Sequence, residues 1–193
     1  MGLLLASSSA IRRSMLESAG VDFEVEPASI DESAEKARQS DAGRLATALA
    51  GAKALAVSGN RAGSWIIGSD SVVSVADRLF DKPRDRAQAA DHLRFFSGRT
   101  MVLTSAVALA RDGAVDWSLV DCARLQVRTL SEPFIQTYLD AEWPEVGYCV
   151  GVFRLEGRGV QLFDSIDGSF FTILGMPLLP LLGALRERDL IQS

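Results

Sequence analysis

Trp65-Ile66-Ile67-Gly68-Ser69-Asp70-Ser71-Val72-Val73-Ser74-Val75 is the stretch on which the fold turns. Its apolar, β-branched ends predict a strand buried on both faces, as in the centre of an α/β sheet. Gly68-Ser69-Asp70-Ser71 interrupts that run with polar groups. A carboxylate inside a core strand costs free energy unless it is paired or used, so Asp70 is the first candidate for chemistry.

Upstream, Leu3-Leu4-Leu5-Ala6 predicts a second apolar strand, Ser7-Ser8-Ser9 a polar turn, and Ile11, Met15, Leu16 and Ala19 one face of a helix that Gly20 stops. Residues 21–27 alternate as a strand, and residues 29–40 read as an acidic loop. Asp41 caps a long alanine-rich helix through about Val57, with Leu45, Leu49, Ala52 and Ala56 at helical spacing and Lys53 inside it. Downstream, a short Arg78-Leu79-Phe80 strand precedes Lys82-Pro83. Asp85 caps a helix to about Phe96, and Ser97-Gly98-Arg99 turns out of it. Residues 100–110 and 115–127 are two long strands joined at Arg111-Asp112-Gly113, a hairpin signal. Ser131 caps a helix with Pro133 in its first turn, running to about Ala141. A glycine-rich stretch, residues 147–159, leads to a turn at Ile166-Asp167-Gly168. Pro177 starts a last helix that buries Leu178, Leu181, Leu182 and Leu185. No repeat or long linker divides the chain. It reads as one α/β domain over residues 1–193, a mixed twisted sheet flanked by helices, with the long middle hairpin as the seed of a second lobe across a cleft.

Composition narrows the function. The chain has 193 residues, 48% hydrophobic and 23% charged, with 20 basic against 25 acidic residues and a net charge of −5. That excludes a disordered tail and argues against a nucleic-acid binder, so any anionic ligand must be held by a few placed cations. One histidine, His92, and two cysteines, Cys122 and Cys149, are too few for a zinc cluster. His92 reads as a surface or core residue. The cysteines read as small core residues of a reduced, cytoplasmic protein. The opening apolar run lacks a preceding basic region and falls far below the ~18 residues of a membrane span, so no membrane association is expected. Chemistry must rest on carboxylates, lysines, arginines and hydroxyls.

Ser7-Ser8-Ser9 precedes a helix whose N-terminus presents unpaired N–H groups, with Arg12 and Arg13 one turn in. Either it is a phosphate cradle, or a serine cap followed by solvated arginines. No Walker loop occurs. Lys82 lies 12 residues beyond Asp70 after a turn and a short strand, where it would pair with Asp70 or hold a phosphate. Glu32 is either a solvated loop residue or a second carboxylate. With Asp70 it would suit a hard cation such as Mg²⁺ that also bridges substrate phosphates. Arg99 is a turn residue or a phosphate ligand. Trp65, Trp117 and Trp143 form no base-stacking pattern.

Taken in order, Leu5-Ala6-Ser7-Ser8-Ser9 with Arg12, Asp31-Glu32, Lys53-Ala54, Gly68-Ser69-Asp70-Ser71, Lys82-Pro83, Ser97-Gly98-Arg99-Thr100, Ile166-Asp167-Gly168 and Gly175-Met176-Pro177-Leu178 resemble the Maf family from about Leu3 to Leu190. The resemblance implies an inosine-triphosphatase-like fold and a cytoplasmic pyrophosphatase that converts a nucleoside triphosphate and water to a monophosphate and pyrophosphate. It also implies a divalent cation, Mg²⁺ or Mn²⁺, for which the residue reading offers Asp70 and Glu32 as ligands. Ser7 and Arg12 match its phosphate-binding motif, Glu32 and Lys53 polar active-site positions, Asp70 the proton acceptor, and Lys82 a phosphate-holding lysine. Two departures stand out. Ile11 replaces the first arginine of the family's Arg-Arg pair, and Glu156 stands where thymidine- and uridine-type members carry glutamine. Glu156-Gly157 resembles the branch acting on 7-methyl-GTP, whose pattern has Glu-Gly there, and an ionised carboxylate, which accepts hydrogen bonds, suits a donor-rich or positively charged base edge. A house-cleaning hydrolase is the leading expectation, and a nucleotide-binding regulator of division or septum formation the alternative. A homodimer is ordinary for an enzyme of this size.

Overall fold

The structure, a computed structural model, describes residues 2–192. The central strand lies where its sequence puts it: β3, Trp65–Val75. β1, Leu3–Leu5, pairs with it in parallel, Leu3 opposite Trp65 and Leu5 opposite Ile67. β2, Glu24–Val25, runs parallel to β1 on its other side. The long hairpin is β5, Thr100–Arg111, and β6, Ala114–Val127. Asp112 and Gly113 sit at φ 49° and 79°, the left-handed conformation of a two-residue hairpin turn. With β7, Phe163–Asp167, the order is β2-β1-β3-β5-β6-β7, and β4, Arg78–Phe80, pairs antiparallel to the end of β3.

Two compact units emerge. The first comprises the N-terminal stretch through Ser71, Thr104–Asp121 and the C-terminal stretch from Ser169; the second comprises Val72–Leu103 and Cys122–Gly168. The hairpin therefore does not seed a separate lobe. Its tip belongs to the first unit and its base to the second, and β3 is divided at Ser71 in the same way.

In the first unit, α1 (Ala10–Ser18) and α7 (Leu178–Arg186) cover one sheet face, where Leu3, Leu5, Trp65 and Ile67 form a core with Met15, Leu16, Met176, Leu181 and Leu185. Leu4 and Ile66, of opposite parity and also buried, face the other way. α3, Ala42–Ser58, buries Leu45, Leu49, Ala50, Ala54 and Val57, and is capped by Asp41 as expected. Ala19 and Ala56 are exposed, because each falls past the buried arc of its helix. The second strand shrinks to two residues, with Val25 exposed. The acidic loop contains a one-and-a-half-turn helix, α2, Ser33–Arg38, with no buried residue and thus no apolar stripe to reveal it.

The second unit holds α4, Arg86–Phe96, and α5, Glu132–Glu142, in contact with each other. His92 lies edge-on to Phe80 at 5.1 Å and beside Phe96, half-buried at the margin of that aromatic cluster. Ile166 and Asp167, expected in a turn, end β7, and only Gly168, at φ 130°, turns. A short helix, α6, Phe170–Ile173, follows in the first unit. The cysteines are not core residues: Cys122 is exposed, Cys149 half-buried, and both are free thiols. Among the described residues no helix is long and apolar enough to cross a membrane.

Candidate active site

Gly68 sets the geometry of the first unit's polar centre. A Cβ there would lie 2.1 Å from the Ala50 carbonyl oxygen and 2.7 Å from the Ala54 nitrogen, so only glycine lets β3 approach α3 this closely. The close approach brings Lys53, on α3, to the next residue of the same β3 face. Its Nζ donates to Asp70 Oδ1 at 2.5 Å and lies 2.8 Å from Glu32 Oε1. Asp70 is 8% exposed, so its charge needs this partner. Glu32 stands at the N-terminus of α2, and its second oxygen is 3.1 Å from Lys36 Nζ. Burial raises the Glu32 carboxyl, but hydrogen bonds and charge from Lys53 and Lys36 outweigh it and hold the group below its ordinary range. One ammonium thus joins two carboxylates. The cation on Asp70 is Lys53, 17 residues upstream, and not Lys82, which belongs to the second unit.

The opposite face of β3 is built from Ser69 and Ser71. Both hydroxyls donate to the Gly175 carbonyl, at 3.0 and 3.1 Å, and Arg12 Nε donates to the same oxygen at 2.9 Å. Arg12 Nη1 reaches the Ser69 carbonyl at 2.9 Å and Ser7 Oγ at 3.4 Å, and Nη2 reaches Ser71 Oγ at 3.0 Å. These contacts occupy four of the guanidinium's five N–H groups. Burial pulls the Arg12 pKa down, and the charges of Asp70 and Glu32 oppose it. Ser9 caps α1, accepting from the Arg12 N–H, while Ser7 Oγ accepts from the Ser9 N–H at 3.2 Å. Arg13 pairs with Glu17 on the surface. The capping account therefore holds for Ser9 and the solvated account for Arg13, whereas Arg12 is enclosed.

The remaining candidates, Lys82, Arg99 and Glu156, lie in the second unit. Arg99 Nη1 donates to the Phe95 carbonyl and its guanidinium covers the Phe95 ring at 4.7 Å, the arrangement of a turn residue. Lys82 and Glu156 are exposed, and both act on Cys149. Burial raises that thiol, Glu156 adds to the rise, and Arg154 and Lys82 oppose it. One residue escaped the sequence reading. Glu142, 5% exposed, accepts from Arg154 Nη2 at 2.9 Å. The signal was present: Ile135, Tyr138, Leu139 and Glu142 fall on the one buried face of α5, so its spacing puts a carboxylate in the core.

A family model described as Maf-like protein matches residues 2–188. The chain is 51% identical to a 7-methyl-GTP pyrophosphatase of Rhizobium etli over 195 residues, covering 99% of this chain and 98% of that protein. A 7-methyl-GTP pyrophosphatase of Rhizobium johnstonii is 47% identical at the same coverage. A nucleoside triphosphate pyrophosphatase of Nitrobacter winogradskyi is 45% identical over 191 residues, covering 98% of this chain and 95% of that protein.

Proposed function

The chain belongs to the Maf-like protein family, and on that premise we propose that it is a nucleoside triphosphate pyrophosphatase whose preferred substrate is 7-methyl-GTP. The observation that carries the reading is the Asp70–Lys53–Glu32 cluster, two carboxylates meeting at one ammonium beside a glycine-packed strand. Water attacks the α-phosphorus of the triphosphate, the bond to the β-phosphate bridging oxygen breaks, and monophosphate and pyrophosphate leave. Asp70 takes the proton from the attacking water. Lys53, already seated on Asp70, supplies positive charge where negative charge develops. Ser7 and the remaining N–H of Arg12 serve the phosphates.

The donor set fits a divalent cation. Asp70 Oδ1 and Glu32 Oε1 converge on the Lys53 ammonium, at 2.5 and 2.8 Å, so a divalent cation held by the two carboxylates would sit beside that ammonium and not at their present meeting point. Among the described residues no group of three His, Cys, Asp or Glu side chains is placed to hold a metal. The protein would therefore offer Mg²⁺ or Mn²⁺ two carboxylates, leaving water and phosphate oxygens for the rest, which is this cation's habit. When bound, the cation neutralises phosphate charge.

Specificity is assigned to Glu156. The base of 7-methyl-GTP carries a positive charge that GTP lacks, and an exposed carboxylate accepts from donors and attracts that charge. Two relatives named for this substrate, at 51% and 47% identity, support the choice. A cytoplasmic location rests on the two free thiols, which a reducing compartment preserves.

The test is release of pyrophosphate and nucleoside monophosphate from a panel of triphosphates, 7-methyl-GTP among them, with Mg²⁺ or Mn²⁺. Metal-dependent turnover led by 7-methyl-GTP is expected. Binding with no turnover on any triphosphate would overturn the enzyme reading in favour of a nucleotide sensor.

A further inference from the structure

Glu142 is a buried carboxylate that the reaction above does not use. It stands at the end of α5 with 7% of its side chain exposed, and its partner is Arg154, whose side chain is 36% exposed. Burying the Glu142 carboxylate costs desolvation that a part-exposed partner offsets only in part, so the pair is weak evidence of stabilisation. Such a pair is better placed to fix a geometry than to hold a fold together, and the geometry beside it is the turn that carries Glu156.

That turn is short and closed. The Gly157 N–H donates to the Arg154 carbonyl at 3.2 Å, so residues 154–157 fold back on themselves with Glu156 exposed at the third position. A Cβ on Gly157 would lie 3.6 Å from Glu142 Oε2 and 3.7 Å from the Arg154 carbonyl oxygen. Glu142 therefore receives the guanidinium of the turn's first residue and lies where a side chain on its last residue would begin. Gly159 tightens the same seat, because a Cβ there would fall 2.4 Å from the Arg154 carbonyl oxygen. Just upstream, the Tyr138 hydroxyl, also on α5, donates to the Val152 carbonyl at 3.0 Å. Two anchors of the segment around Glu156, Tyr138 and Glu142, thus come from the buried face of one helix. The Glu142 charge also raises the Arg154 pKa, chiefly through the hydrogen bond between them, so the guanidinium stays charged.

We infer that Glu142 is a positioning residue for base selection, holding the Arg154–Gly157 turn on α5 so that the Glu156 carboxylate is presented in one place. The inference rests on the reading of Glu156 given above. An unanchored turn would still carry a carboxylate, but its conformational freedom would be lost again on each binding event, and discrimination between two bases would fall.

The experiment measures kcat and KM for 7-methyl-GTP and for GTP in the wild type, Glu142→Gln, Arg154→Lys, Glu156→Gln and the Glu142→Gln/Glu156→Gln double variant. Glu142→Gln is expected to lower the ratio of kcat/KM values by about tenfold, through KM for the methylated substrate, on the scale of one hydrogen bond to a charged group. The double variant is expected to match Glu156→Gln alone, because the two act through one group. Arg154→Lys keeps the charge and loses the planar fork, so it should lower the ratio in the same direction even if Glu142→Gln fails to fold. A purely structural role would lower kcat/KM for both substrates equally and leave the ratio alone. An unchanged ratio in Glu142→Gln or Arg154→Lys, with a shifted ratio in Glu156→Gln, would overturn the inference. An unchanged ratio in Glu156→Gln would remove the base-recognition reading itself.

Discussion

The two faces of β3 carry one long cation each, and the cations do different work. On one face Lys53, with 16% of its side chain exposed, meets two carboxylates. On the other Arg12, enclosed, spends its guanidinium on two backbone carbonyls and two hydroxyls. Neutral acceptors gain a strong, directional bond from a charged donor but offer it no net charge to balance. Arg12 therefore fastens the Ser69-Asp70-Ser71 segment to the loop at Gly175, and Lys53 manages charge. The proposed chemistry is on the Lys53 face. The alternation of a strand, with side chains pointing to opposite sides, separates the two tasks within three residues.

The largest expected effect comes from removing the charge of Lys53. Lys53→Met leaves Asp70 and Glu32 facing each other without their shared counter-ion, and kcat should fall about 10²–10³-fold, the range for losing one electrostatic donor at a reacting centre. A loss of stability without a change in kcat would put Lys53 in the same class as Arg12 and erase the comparison.

Arg12→Met should act first on stability, by about 3 kcal/mol, since several hydrogen bonds from one charged group disappear together. Thermal denaturation measures this. Arg12→Lys sharpens the contrast, because an ammonium keeps the charge but not the five-donor fork. If Arg12 mainly fastens the strand, Lys will not restore the melting temperature. A fully restored melting temperature with a raised KM would make phosphate binding its main task.

The smallest effect is a pH dependence at Glu32. Its folded pKa is depressed, so its ionised partnership stabilises the protein above the ordinary carboxylate value and is lost as pH falls through the lowered folded value. The melting temperature of Glu32→Gln should lie below that of the wild type near neutrality, and the gap should close on acidification. A gap that widened toward acid would reverse the sign of the Lys53–Glu32 interaction.

Much of this was legible in the residues. β3 was bounded correctly by its own apolar run, and the caps Asp41, Asp85 and Ser131 each accept the backbone bond their position implies. Asp70 stood out as a carboxylate in an apolar strand, and its burial agrees. Its partner did not stand out. Lys53 lies on a helix whose alanine-rich surroundings look uniform, and only the Gly68 contact shows which turn of α3 meets the strand. Arg12 looked like one of two similar arginines; Gly175, which separates their fates, is 163 residues away. Side-chain identity announces local chemistry, whereas pairing across such distances is decided by packing.

The most direct test of the central claim is Asp70→Asn, measured for pyrophosphate release and for thermal unfolding side by side with the wild type. The substitution preserves size and keeps one acceptor oxygen for Lys53, but it cannot take a proton from water. A folded protein with turnover reduced by about 10²–10⁴-fold is expected. Retention of more than roughly a tenth of wild-type turnover in a folded variant would contradict it, because a general base cannot be so dispensable.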